Sequence, residues 1–227
     1  MKKIIFGIFA HPDDEAFGPS GTLIKEVRSG TELHLITLTA GDAGMNPDGH
    51  DDLGVVRLDE WRAAGDLIGA SSMHHLGYKD GALNNASLQS AAEVIEGIVM
   101  KTIGTANDIS IEFMSFDLNG ISGHIDHIVA SRAACLVFYR LKKSDPRFTR
   151  IRLFCISDSQ LATINTDWLY MEPGRCSEDI NETIDARDVH DQIVTIIKTH
   201  HTQRSDGEAH LERMGDNIGI NHYIVLE

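Results

Sequence analysis

The sequence predicts an α/β fold, a Rossmann-like three-layer α/β/α arrangement on a mostly parallel sheet. Three observations carry that expectation. Apolar runs of strand length alternate with segments of helical periodicity. The apolar runs are nearly continuous rather than alternating, as befits strands buried on both faces. Polar, glycine-rich loops follow them, where open parallel sheets keep their ligand crevice.

In chain order, Ile4 to Phe9 reads as the first strand. Pro12 cannot donate a ladder hydrogen bond and pushes His11 to an extended conformation, so the strand stops there. Ser20 to Arg28 reads as the first helix, closed by Ser29-Gly30. Leu33 to Thr39 is the second strand. The loop from Ala40 to Asp52 is rich in Gly, Asp, Asn and Pro, and a loop this long after a strand is a functional candidate. Leu53 to Ile68 is helical, with Leu53, Val56, Trp61, Ala64, Leu67 and Ile68 marking one face and Gly69 ending it. Ser72 to Leu76 is a short strand, and Gly77 to Gly81 a turn-rich loop.

Ser87 to Thr102 is the next helix, with Ser87 as its N-cap. Ile109 to Met114 is a strand, Phe116 to Gly123 a Gly/Asn loop, and His124 to Leu141 a helix. Ile151 to Ile156 is a later strand. Ser157 to Ile180 gives a weak signal. Thr183 to Ala186 reads as a short strand and Val189 to His201 as a helix. The tail is polar from Arg204, then apolar and β-branched from Ile218 to Leu226, which suits a last edge strand or a segment packed over the pocket. No internal repeat or low-complexity linker interrupts the chain.

The 227 residues suit one domain and suffice for a real core. Net charge is -14, which argues against nucleic acid or an anionic membrane as the main partner. No apolar run is long enough to span a membrane. Met1-Lys2-Lys3 and the apolar run after it resemble a short signal peptide, but His-Pro-Asp-Asp follows at once without a small-residue cleavage site, so the run reads as a strand. Cys135, Cys155 and Cys176 form no Cys-x-x-Cys pair, which fits reduced cysteines in a cytoplasmic protein.

Four strand-end loops are loaded with polar groups: His11 to Glu15, Gly41 to Asp52, Gly77 to Gly81, and Asn119 to His127. In a parallel sheet these ends share one edge, so the loops converge. His11, Asp13 and Asp14 offer an imidazole and two carboxylates within four residues, enough for metal ligands and a general base. Alone, the stretch would equally serve as a strand-end turn with an aspartate capping the next helix. His124, Asp126 and His127 alone would sooner be a capped helix start with exposed histidines. Both clusters on one sheet edge favour a metal site. His11, Asp14 and one of the two later histidines would make the three-ligand set of an open zinc site, leaving Asp13 as base. His74, His75, His200, His201 and His210 read as surface or packing residues, with a reservation for His201. Met45, Met73 and Met114 read as filling.

Four stretches together resemble the PIG-L/LmbE family of zinc-dependent N-acetylglucosaminyl deacetylases: Ala10-His11-Pro12-Asp13-Asp14-Glu15, Leu38-Thr39-Ala40-Gly41-Asp42-Ala43-Gly44, Arg57-x-x-Glu60, and Gly123-His124-Ile125-Asp126-His127. The resemblance runs from residue 4 to about 135 and continues weakly at His201-Thr202-Gln203. It implies one Zn2+ per chain on His11, Asp14 and His127, with Asp13 as general base. It implies that His124 stabilises the oxyanion or protonates the leaving amine, and that Asp126 orients a histidine. Arg57 and Asp80 are similar to positions that hold sugar hydroxyls or a neighbouring group. Ile125 stands where the family often has Pro. The resemblance also implies that residues 157–227, the divergent part of a single domain spanning 1–227, close the pocket over a small sugar-conjugate substrate.

Family members are often oligomeric, and nothing in the sequence marks an interface between copies. Two other classes compete: a different metal-dependent amidase or phosphoesterase acting on a small polar substrate, and a nucleotide-binding module. The second lacks both Gly-x-Gly-x-x-Gly after the first strand and a Gly-Lys-Ser/Thr loop. A metal-bearing scaffold without turnover is a third.

Overall fold

Strands β1 (Lys2–Phe9), β2 (Glu32–Thr39), β3 (Ser72–Tyr78), β4 (Ile109–Phe116) and β5 (Phe148–Cys155) pair in parallel. This is a computed structural model, and it describes residues 1–161 and 174–227. Of the weakly patterned stretch Ser157 to Ile180, residues 162–173 lie outside the described residues.

Between the parallel strands run α1 (Asp14–Phe17), α2 (Ser20–Arg28), α3 (Leu53–Ile68), α4 (Asn85–Ile103), α5 (Gly120–Gly123) and α6 (Ile125–Lys142). After β5 come α7 (Asp158–Leu161), β6 (Glu182–Asp185), α8 (His190–Thr199), α9 (Arg204–Met214) and β7 (Ile220–Leu226). The strand order is β3-β2-β1-β4-β5-β7-β6, with β7 antiparallel to both β5 and β6. The order therefore reverses direction at β1 and β4, and the loops leaving those two strands face each other across the switch point.

The sheet buries both faces, as its continuous apolar strands require. On one side Phe6, Ile8, Ile36 and Phe113 pack with Ile95 and Val99 of α4 and with Ala130 and Val137 of α6. On the other, Ile5, Phe9, Leu35 and Met114 pack with Leu23 of α2, Trp61 of α3 and Ile193 and Ile197 of α8. Among the described residues no helix is long and apolar enough to cross a membrane. The cysteines are free.

Four details differ from the sequence reading. Ser87 is not the N-cap of α4. Asn84 is, accepting from the amides of Ala86 and Ser87, while Ser87 Oγ accepts from the Asn84 amide to close a capping box. The Ile218 to Leu226 segment is a strand inside the sheet between β5 and β6, so the edge position falls to β6. The polar tail after Arg204 contains α9, whose Gly207 lets it approach Ile197 of α8. The third strand runs on to Tyr78.

Arg152 is fully buried in the middle of β5. Its Nη2 meets Glu26 Oε1 at 2.7 Å and Glu112 Oε2 at 3.1 Å, and Lys3 Nζ joins the same two carboxylates. Removing one member of such a set leaves uncompensated buried charge. Arg152→Met should therefore lower the unfolding free energy by about 3–5 kcal/mol, read as a lower midpoint in urea denaturation. An unchanged midpoint would mean that the network contributes nothing.

Candidate active site

The active-site candidates all sit on the carboxyl ends of β1 to β4. β1 ends at Phe9, and the chain turns through His11-Pro12-Asp13 into α1. Asp13 takes φ 109°, ψ −23°, a left-handed conformation rarely adopted by a side-chain-bearing residue. Such strain persists only where the surroundings over-determine it. Here they do. Arg57 Nη2 donates to the Pro12 carbonyl at 2.7 Å and to Asp13 Oδ2 at 2.8 Å. The Asp13 amide donates to Glu15 Oε2 at 3.3 Å, and the Asp13 carbonyl accepts from Ala16 and Phe17. Arg57 Nη1 donates to the Gly41 carbonyl at 2.6 Å. Gly41 has φ +67°, and a Cβ there would fall on the Arg57 guanidinium. That explains why the second strand-end loop begins with glycine.

His127 reaches the same point from the first turn of α6. Its Nε2 lies 3.0 Å from His11 Nδ1 and 3.2 Å from Asp14 Oδ1, and Asp14 Oδ2 lies 3.8 Å from His11 Nδ1. The three side chains therefore frame a triangle, with a different Asp14 oxygen facing each histidine. A tetrahedral divalent ion with bonds of about 2.0–2.2 Å needs donors roughly 3.3 Å apart, so the triangle is of the right size. His127 Nδ1 sits 3.1 Å from the Gly120 carbonyl, which leaves Nε2 as the acceptor face. The Asp14 carboxylate is aimed by the amides of Ala10 and His11, both donating to Oδ2.

The far nitrogen of His11 faces two more carboxylates, Asp80 at 3.1 Å and Asp126 at 3.5 Å. Asp126 is itself tied by the amides of Gly81 and Leu83, and Asp80 Oδ2 by the amide of Ala43. Two further groupings of potential donors exist among the described residues: His11, His124 and His127, and His11, Asp80 and Asp126. His124 caps α6, its Nδ1 accepting from the Asp126 amide at 3.2 Å, so a neutral His124 carries its proton on Nε2.

Charge explains what the cluster demands. Asp13, Asp14, Asp80 and Asp126 converge there, and the permanent cation of Arg57 pairs with Asp13. Burial opposes ionisation of Asp14, yet the imidazoles of His127 and His11 hold it well below the usual carboxylate range. Burial would depress His11, but Asp126, Asp14 and Asp80 outweigh it and hold the imidazole well above its ordinary value. Burial pushes Asp13 up to about 6, against the pull of Arg57. Burial, then His127 and His11, hold His124 low. A divalent ion in the triangle would meet the same demand by displacing those imidazole protons.

The structure brings all eight expected site residues together around one cavity of about 540 Å3. Seven line it directly, and Asp126 stands behind His11. Arg57 and Asp80 line it too; both Arg57 Nη atoms are engaged by Asp13 and the backbone and Asp80 by His11 and the Ala43 amide, while Arg57 Nε has no hydrogen-bond partner among the described residues.

Other contributors escaped the sequence reading. Phe17, Phe116, Ile121, Phe154 and Met214 form an apolar wall, and Gln203, Asp206, His210 and Arg213 reach in from α9 and the turn before it. His210 is no surface residue. Its ring stacks on Phe17 at 5.5 Å, and burial and Arg213 push it down to about 4. His200 is buried against Glu15, whereas His201, the one reserved, is exposed. The polar composition of α9 hid its inward face. His200 had no local signal, because its partner is 185 residues away.

Fold and site together define an α/β protein with a cluster of carboxylates and imidazoles at its switch point. The model of the PIG-L family, GlcNAc-PI de-N-acetylase, matches residues 6–138, and the chain belongs to that family. A 1D-myo-inositol 2-acetamido-2-deoxy-alpha-D-glucopyranoside deacetylase from Mycobacterium sp. (strain KMS) is 24% identical over 100% of this chain and 84% of its own. N,N'-diacetylchitobiose deacetylase from Pyrococcus horikoshii has the same fold, with TM-score 0.67 and 17% identity over 99% of this chain and 83% of its own. So does GalB, the 4-carboxy-2-hydroxymuconate hydratase of a Pseudomonas, with TM-score 0.68 and 15% identity over 100% and 97%. The fold is thus shared by more than one chemistry.

The strain at Asp13 is measurable. Asp13→Gly and Asp13→Ala both remove the carboxylate from Arg57, but only glycine relaxes at φ 109°. The glycine variant should be the more stable of the two by about 1 kcal/mol in urea denaturation. A more stable alanine variant would contradict the strained conformation.

Proposed function

We propose that this chain is a zinc-dependent N-deacetylase that hydrolyses the acetamide of an N-acetylglucosamine-type sugar conjugate. The observation that carries this reading is the donor triangle of His11, Asp14 and His127 with the strained, Arg57-clamped Asp13 beside it. We read residues 1–227 as one catalytic domain, with the C-terminal segment walling the pocket. His11, Asp14 and His127 would hold one Zn2+ per chain, which would polarise the acetamide carbonyl and lower the pKa of water.

The chain's own residues supply the rest. Arg57 occupies Asp13 Oδ2, which leaves Oδ1 to take the proton of the attacking water. His124 Nε2–H points its donor toward the oxygen on which negative charge develops, with its tautomer fixed by the Asp126 amide. Collapse expels the sugar amine, which takes a proton from the same pair of groups, and acetate leaves. Asp80 and Asp126 hold the far nitrogen of His11 and keep Nδ1 turned inward. In this reading Arg57 and Asp80 are positioning residues rather than sugar contacts.

Phosphoester hydrolysis on two cations is the second reading, favoured by the grouping of His11, Asp80 and Asp126. Against it, Asp126 and Asp80 already accept backbone amides and face a histidine that the first grouping also needs.

The wild-type chain should release free amine and acetate from N-acetylglucosaminides and lose that activity to a chelator, with about one metal per chain. Asp13→Ala should lower kcat by about 10²- to 10⁴-fold while retaining metal. His11→Ala and Asp14→Ala should lose the metal itself, measured by elemental analysis. Stoichiometric metal in those variants, or full activity in Asp13→Ala, would contradict the assignments.

The acid limb of the pH profile reports Asp13. Its base form is lost as pH falls through its pKa, which burial raises to about 6 and a bound cation pulls back down. In the metal-loaded enzyme kcat/KM should therefore fall only at or below about pH 6. A limb centred above pH 7 would exclude Asp13 as the base.

A further inference from the structure

We propose that His200 is a positioning residue for the reaction, acting through Glu15 to hold the backbone of Asp13 in its left-handed conformation. This rests on the reading of Asp13 as general base. The two side chains are among the most buried polar groups in the protein, with His200 1% and Glu15 0% exposed. His200 Nε2 lies 2.9 Å from Glu15 Oε1, and Glu15 Oε2 accepts the Asp13 amide at 3.3 Å. One carboxylate therefore bridges a histidine near the end of the chain to the backbone of the base. Without His200, that carboxylate would have no side-chain hydrogen bond among the described residues to fix which oxygen faces Asp13.

The carboxylates of Glu15, Asp13 and Glu60 act electrostatically on His200, and the Phe17 ring meets it edge-on at 6.3 Å. Arg57 fixes the Asp13 side chain and Glu15 fixes its amide, so each holds a different degree of freedom. With both in place, Asp13 can neither rotate its carboxylate away nor relax its φ angle.

The segment that carries His200 is held against the same machinery at two more points. Thr202 donates from its amide to Glu60 Oε1 at 2.9 Å and from Oγ1 to Oε2 at 2.7 Å, on the helix that bears Arg57. Gln203 Nε2 donates to the Met45 carbonyl at 3.1 Å, in the loop after β2. His200 to Gln203 thus clasps three of the elements that converge at the site. All of it lies beyond residues 6–138, the part matched by the family model.

The test compares His200→Gln with His200→Asn in the full-length, metal-loaded chain. Glutamine places its amide nitrogen at about the reach of imidazole Nε2 and can still donate to Glu15. Asparagine is equally polar and uncharged but falls short. Both are assayed for amine release from an N-acetylglucosaminide, with metal content measured alongside. His200→Gln should keep kcat within about threefold of wild type. His200→Asn should lose about tenfold or more in kcat, the scale expected when a catalytic group is displaced without being removed. KM and bound metal should stay within about twofold in both, since neither substrate nor ligands are touched.

Equal losses in the two variants, or none in either, would overturn the proposal, as would a loss that falls on KM. If His200→Asn fails to fold, Glu15→Asp carries the same expectation, because it keeps the charge but draws its second oxygen back from the Asp13 amide. Should the wild-type chain release no amine at all, the deacetylase reading fails first. Wild-type turnover with unaffected variants would sink the His200 role alone.

Discussion

The constraint on which this structure depends is an excess of buried negative charge at one point. Four aspartates from three separate loops meet where the sheet reverses direction, and the Arg57 guanidinium pairs with one of them, Asp13. A carboxylate cannot be left charged and unpaired in such a place. His11 answers the demand by holding its proton, because the surrounding carboxylates outweigh burial there. The same donor chemistry fits a divalent ion. His11 has a carboxylate or imidazole at each ring nitrogen, so it links the donor triangle to the supporting pair behind it.

Around that point the protein spends conformational strain to aim one carboxylate. Asp13 stands in an unfavourable backbone conformation because Arg57 and Glu15 grip it from two sides. Rigid elements supply both grips. Arg57 comes from the second turn of a sixteen-residue helix, and Glu15 lies in the turn directly after the first strand, backed by His200. Loops that converge from parallel strands place the groups roughly, and these side-chain locks set them to the tolerance chemistry needs. The apolar wall of Phe17, Phe116, Phe154 and Met214 completes the cavity and keeps the charged end partly screened from water.

Much of this was legible in the sequence, for identifiable reasons. The strands showed because continuous apolar runs are unambiguous when both faces are buried. The site showed because parallel strands put all their ends on one edge, so polar loops separated in sequence had to meet. His11, Asp14 and His127 converge as that logic requires. What was not legible depended on contacts between distant residues. Arg152 sits in a strand as a fully buried cation, which Glu26, Glu112 and Glu182 make tolerable. The α9 helix has polar residues on the face that turns into a polar cavity, so it shows no apolar stripe. The antiparallel insertion of β7 between β5 and β6 has no local signature. Arg57 and Asp80 were found by position, but what their atoms hold could be read only from distances.

The central claim is where a cation would sit, and His11 offers two sides. Crystals loaded with Zn2+ and measured on both sides of the zinc absorption edge test it most directly. The account predicts one anomalous peak per chain within bonding distance of His11 Nδ1, His127 Nε2 and an Asp14 oxygen. A peak on the opposite side of the ring, between His11 Nε2, Asp80 and Asp126, would contradict it, and so would no peak at all.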